Sequence, residues 1–116
     1  MNVSYCGSVL DVDGKSLVFP FDIQQVLTEG EYVFVLLDLP MEEKYRHEST
    51  NIYGIRNGKV IWRNEDPHLV YEYDYTPFTG IYFEDGKLAA NDFYSLRVVF
   101  NKETGKVEGR LPSGRW

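Results

Sequence analysis

The sequence predicts an all-β domain of antiparallel hairpins in a meander, stacked as two sheets or curled into a partly open barrel. Three observations carry that expectation. A short unit recurs four times: an apolar stretch, a tight-turn signal ending in Gly-Lys, and a second apolar stretch. Its corners are Asp13-Gly14-Lys15, Asn57-Gly58-Lys59, Asp85-Gly86-Lys87 and Thr104-Gly105-Lys106. Asn-Gly and Asp-Gly accept the positive φ angles of type I′ turns, which join adjacent antiparallel strands. Aromatic residues make up 16% of the chain, including nine Tyr and seven Phe, a bias that suits pleated, half-buried strands more than helices. No interval between the units is long enough for the crossover helix that parallel pairing needs.

Taken in order, residues 3–12 and 16–21 form the first hairpin, turning at Asp13-Gly14 and stopped by Pro20, which cannot donate to a ladder. Residues 22–28 carry Ile23, Val26 and Leu27 at helical spacing behind Asp22, but the segment is short and ends at a Glu29-Gly30 corner, so a strand is favoured. Residues 31–38 are apolar on both faces and should form a central strand covered on both sides. Residues 41–50 are charged, lack a β pattern and read as the main loop.

The second hairpin runs from Asn51 to Arg63 around Asn57-Gly58, and residues 64–69 form a loop. Tyr71, Tyr73 and Tyr75 alternate with Glu72 and Asp74, which predicts a strand with one aromatic and one acidic face. The third hairpin joins residues 80–84 to 87–90. The last begins at Ser95, with Leu96, Val98 and Phe100 on one face, and turns through Thr104-Gly105. Residues 111–116 read as a docked or frayed tail.

A chain of 116 residues is one domain, spanning 1–116, and should bury roughly 65% of its unfolded surface. Net charge is −6, from 12 Lys and Arg against 18 Asp and Glu. That balance repels phosphate backbones and argues against nucleic-acid binding, while it suits solubility or a basic partner. Cys6 is the single cysteine, so no intramolecular disulfide can form. Flanked by Tyr5 and Gly7 with no cation beside it, it reads as a buried, inert thiol. The N-terminal residues lack the basic and apolar regions of a signal peptide, and the longest apolar run, Tyr32 to Leu37, is too short to span a bilayer. A cytoplasmic location without membrane association is expected.

Gly58-Lys59-Val60-Ile61-Trp62 places a Trp four residues after the turn glycine, and Asn101 to Val107 sets an Asn two spacers ahead of Thr-Gly-Lys. Both resemble the Thr-Gly-x-x-x-Trp turn of quinoprotein-type (PQQ-like) β-propeller blades, with Asn51 to Ile55 as the strand before the turn. The resemblance covers residues 51–109. Arg56 stands where the repeat usually has Asp, and Gly109 where a second Trp would fall. The resemblance implies a blade-like pair of antiparallel sheets in a small stand-alone domain. It transfers no calcium or quinone ligands, so no cofactor is expected.

His68 lies near Glu65, Asp66, Glu72 and Asp74, but His47 belongs to a separate loop and no His-x-His or Cys-x-x-Cys spacing occurs. A solvated loop accounts for these charges, and neither a metal site nor a catalytic residue is expected. Convergence of His68, Asp74 and Asp92 would mark an enzyme. Gly14-Lys15-Ser16 copies the end of a phosphate loop but follows a hairpin turn with no helix behind it.

The tyrosine-rich, acidic stretch offers the best candidate surface. Tyrosine supplies contact area at low entropic cost, and carboxylates select a basic partner. The residues assigned to that surface are Glu72, Asp74, Tyr71, Tyr73, Tyr75, His68 and Tyr82, with the 41–50 loop beside them. The expected function is a non-enzymatic protein-interaction module, in a specific form an immunity-type protein that neutralises a basic partner. The alternatives are a carbohydrate or small-ligand binder, or hydrolase, with a Tyr-lined pocket, and a structural or accessory domain.

Overall fold

The computed structural model describes residues 1–112; residues 113–116 of the expected tail lie outside the described residues. Eleven strands occur among them: β1 (Val3–Cys6), β2 (Val9–Val12), β3 (Lys15–Val18), β4 (Ile23–Glu29), β5 (Tyr32–Leu37), β6 (Ile52–Arg56), β7 (Lys59–Arg63), β8 (Phe78–Glu84), β9 (Lys87–Asp92), β10 (Arg97–Phe100) and β11 (Val107–Leu111). The only helical pieces among the described residues are two 3-10 turns, Glu43–Tyr45 and Pro67–Leu69. Within each sheet every strand pairs antiparallel with its neighbour in sequence, giving β1-β2-β3, β4-β5-β6-β7 and β8-β9-β10-β11, with no pairing between β3 and β4 or between β7 and β8.

Three corners close as the sequence predicts. Asp13 and Gly14, Asn57 and Gly58, and Asp85 and Gly86 all take positive φ, the signature of a type I′ turn. The fourth corner is longer. Asn101 Oδ1 accepts from the backbone N–H groups of Glu103 and Thr104, and Gly105 adopts a φ of 72°. Residues 22–28 form a strand, and Gly30 at φ 57° turns β4 into β5.

The stack has three layers. β5 lies in the central sheet, and its alternate side chains serve two cores. Phe34 and Leu36 pack with Ile52, Trp62, Phe78, Ile81, Leu88, Val98 and Phe100 against the third sheet. Val33, Val35 and Leu37 pack with Leu10, Val12, Phe19, Ile23 and Ile55 against the first. All five β5 residues from Val33 to Leu37 are buried, as an apolar run covered on both sides should be. The first sheet gains its third strand from one turn inside the run expected as a single strand over residues 3–12. Gly7, at φ 58°, folds β1 onto β2 with Cys6 opposite Val9.

A half-buried and a buried amide, Gln25 and Asn51, bind the layers where the ladders stop. Gln25 on β4 donates to the Ile81 carbonyl (2.7 Å) and accepts from the Ile81 N–H (2.9 Å), standing in for a strand along the edge of β8. Asn51 donates to the carbonyls of Leu37 and Phe78 and accepts from the Phe78 N–H. Trp62 lies between Gly54 and Gly105, and its Nε1–H donates to the Lys102 carbonyl at 2.8 Å.

The structure departs from the expected pattern at residues 71–75 and at Cys6. Residues 71–75 are not a strand. The segment lies between Pro67 and Pro77 with no ladder partner, so its polar alternation reflects loop residues turned to different surroundings. Cys6 is exposed rather than buried, because β1 is an edge strand whose residues after Val3 face solvent.

Candidate functional site

The corners at Asp13-Gly14, Gly30, Asn57-Gly58 and Asp85-Gly86 fall at one end of the stack, whereas the Gly7 turn reaches Asp22 beside Asp38, and Gly105 accepts from the Glu65 N–H. Asp13, Lys15, Gly30, Asn57 and Gly58 line one hollow at the tip end. Lys102 binds Glu29 and the Gly86 carbonyl at the same end. The loops 38–51, 64–77 and 93–96 gather at the other end, the loop pole, where meander geometry must put them.

Charge is divided the same way. Residues 38–50 and 64–77 hold eight acids (Asp38, Glu42, Glu43, Glu48, Glu65, Asp66, Glu72 and Asp74) and two cations (Lys44 and Arg46), while the rest of the chain has ten of each. The whole net charge of −6 is therefore carried by two loops that touch each other.

Short-range capping shapes the 64–77 loop. Asp66 caps the turn Pro67–Leu69, accepting from the His68 N–H at 3.0 Å, and Pro67 supplies a φ already set for the first helical position. The same Asp66 Oδ1 lies 2.7 Å from His68 Nδ1. His68 Nε2 then faces the Tyr75 carbonyl oxygen at 3.1 Å. The 41–50 loop reaches the same carbonyl from the other side. His47 Nδ1 lies 3.4 Å from it and 3.0 Å from Asp74 Oδ1. Ser49 donates to the Thr76 carbonyl, and Arg63 holds the Thr50 carbonyl and Glu48. The rings of His47 and His68 meet edge to face, with centroids 6.2 Å apart.

The predicted surface residues divide. Glu72, Tyr73 and Asp74 are exposed, and Tyr71 and His68 are half-buried. All five belong to one loop. Arg110 from β11 stacks on Tyr73 at 4.0 Å and on Tyr71 at 5.5 Å. Tyr75 is fully buried and cannot meet a partner directly. Its hydroxyl has no hydrogen-bond partner among the described residues. Burial pushes its pKa above the usual phenol value, opposed by the Arg110 charge. Tyr82 is elsewhere, on β8, where its hydroxyl accepts from Arg97 at 2.6 Å beside Glu84. Asp92 is buried and accepts from the backbone N–H groups of Thr76, Tyr94 and Leu96. It organises the 93–96 turn and does not join His68 and Asp74.

Sequence reasoning set His47 apart from His68, although the fold joins them. It also passed over an apolar groove of about 370 Å³ next to the acidic loops. Leu39, Pro40, Met41, Pro77, Phe93 and Tyr94 line it, with Met41 fully exposed and Phe93 70% exposed. The apolar Leu39-Pro40-Met41 run and the Phe93-Tyr94 pair are the signals that could have found it.

No helix among the described residues is long and apolar enough to cross a membrane. Neither a curated protein nor a solved structure matches the chain. The quinoprotein-blade resemblance is overturned: no such family is found, and the three sheets do not close into a propeller ring. Its Trp62 turn reflects hairpin chemistry common to many β proteins. The model of a domain of unknown function (DUF7957) matches residues 1–111, and the chain belongs to that family.

Proposed function

We propose that this domain is a non-enzymatic protein-interaction module that receives a basic partner at its loop pole. The observation that carries this reading is the concentration of the full net negative charge on two touching loops beside a groove lined by exposed Met41 and Phe93. Apolar anchors in a groove supply affinity, and a rim of one sign supplies on-rate and choice of partner. Glu72, Tyr73 and Asp74 form part of that rim, and an immunity-type neutraliser of a basic protein is its specific form. The ligand-binding alternative has its nearest counterpart in the same groove, which presents Phe93 and Tyr94 but Asp38 as its one carboxylate.

Affinity capture with three baits tests the proposal: the wild type, a loop-pole variant (Glu42→Lys with Glu72→Lys), and a tip-end variant (Glu103→Lys with Glu108→Lys). A partner held by the wild type and the tip-end variant, lost by the loop-pole variant and released by moderate salt, is the expected result. Equal retention by all three baits contradicts it.

A further inference from the structure

We propose that His47, His68 and Asp74 form a binding site for a divalent transition-metal ion of the zinc type, with the Tyr75 carbonyl oxygen as a fourth donor. One ligand atom from each of the three side chains lies within 4.8 Å of the others. The contacts around the Tyr75 carbonyl are tighter: 3.1 Å from His68 Nε2 and 3.4 Å from His47 Nδ1, with Asp74 Oδ1 3.0 Å from His47 Nδ1. A tetrahedral ion with bonds of about 2.0–2.1 Å sets its donors about 3.3 Å apart. Those three pairs stand near that spacing, and the side-chain donors, all within 4.8 Å of one another, close toward it as an ion enters.

The proton arrangement points the same way. His68 Nδ1 lies 2.7 Å from Asp66 Oδ1, the carboxylate support that metal-bound imidazoles usually have. In the neutral ring with its proton on Nδ1, the Nε2 lone pair faces the lone pairs of the Tyr75 carbonyl, and the two acceptors repel each other. A positive centre between them relieves that repulsion, either the proton of the imidazolium or a metal ion. His47 Nδ1 faces the Tyr75 carbonyl oxygen and Asp74 Oδ1, two oxygens able to share an ion with it. Two imidazoles with one carboxylate suit zinc, copper or nickel, whereas calcium and magnesium favour all-oxygen sets. The ion would fasten the 41–50 loop to the 64–77 loop. This inference stands whether or not the loop pole binds a protein.

Calorimetric titration of zinc into the tag-free, chelator-treated full chain tests it. One equivalent should bind saturably, and millimolar calcium or magnesium should not compete. His47→Ala, at an exposed position, should weaken binding at least tenfold with the circular dichroism spectrum unchanged. Asp66→Asn should weaken it about 10- to 100-fold, whereas Cys6→Ser, which removes the exposed thiol, should leave it unchanged. Cobalt in place of zinc should give visible absorption bands in the wild type that His47→Ala lacks. Absence of saturable zinc binding, equal affinity in His47→Ala, or loss of binding in Cys6→Ser would each overturn the proposal.

Discussion

Gly54→Ala is the sharpest probe of how the central and third sheets are joined. Gly54 faces Trp62 across the β6–β7 ladder. A Cβ at this position would lie 2.2 Å from Trp62 Cε2 and 2.5 Å from Nε1, too close for any real contact. The indole cannot retreat, because Gly105 closes the other side, where a Cβ would stand 2.5 Å from Cε3. Displacing the ring strains the packed core, which costs about 1–3 kcal/mol. It also breaks the Nε1–H bond to the Lys102 carbonyl, for about 1–2 kcal/mol more. The expected loss is therefore about 2–5 kcal/mol. Urea unfolding followed by circular dichroism measures it, with Gly109→Ala as the control. Gly109 has no atom within 4 Å of its virtual Cβ and no positive φ, so its substitution should stay within about 0.5 kcal/mol of wild type. A Gly54→Ala loss below about 1 kcal/mol, or one equal to the control, would refute the Trp62 clasp.

Asn51→Leu should cost about 3 kcal/mol or more in the same assay, since it strands the Phe78 N–H and two carbonyls in the core. Tyr75→Phe should keep or raise stability by up to about 1 kcal/mol, because the lost hydroxyl is buried without a partner; a loss above 1 kcal/mol would mean that the hydroxyl is bonded. Tyr75 also sets an alkaline limit. The unfolded phenol gives up its proton near pH 10 and the folded one holds it longer, so stability from this group is full below pH 10 and falls as pH rises through the folded pKa. Unfolding measured from pH 9 to 11 should show a steeper decline in wild type than in Tyr75→Phe, and parallel curves would rule this out.

Local chemistry made much of the scaffold legible. Asp13, Asn57 and Asp85 precede glycine, and each takes the positive φ that few other side chains tolerate. The double-faced run Val33 to Leu37 announced a strand between two layers. What stayed hidden depends on partners remote in sequence. The Gly7-Ser8 turn has no Asn or Asp ahead of the glycine and lies within a run that reads as one strand. The alternation from Tyr71 to Tyr75 copies a strand pattern, yet Arg110 and the Asp66 cap hold it as loop. The meeting of His47 with His68 follows from where two meander connections end, and neither local sequence encodes it.

Both functional proposals rest on the 41–50 and 64–77 loops meeting over the Tyr75 carbonyl. Proton NMR with labelled histidine tests that contact directly. Nuclear Overhauser effects between the His47 and His68 rings, with further ones from His68 to the Tyr75 ring, are the predicted result. A folded chain in which the His47 ring shows contacts only within its own loop would contradict the account.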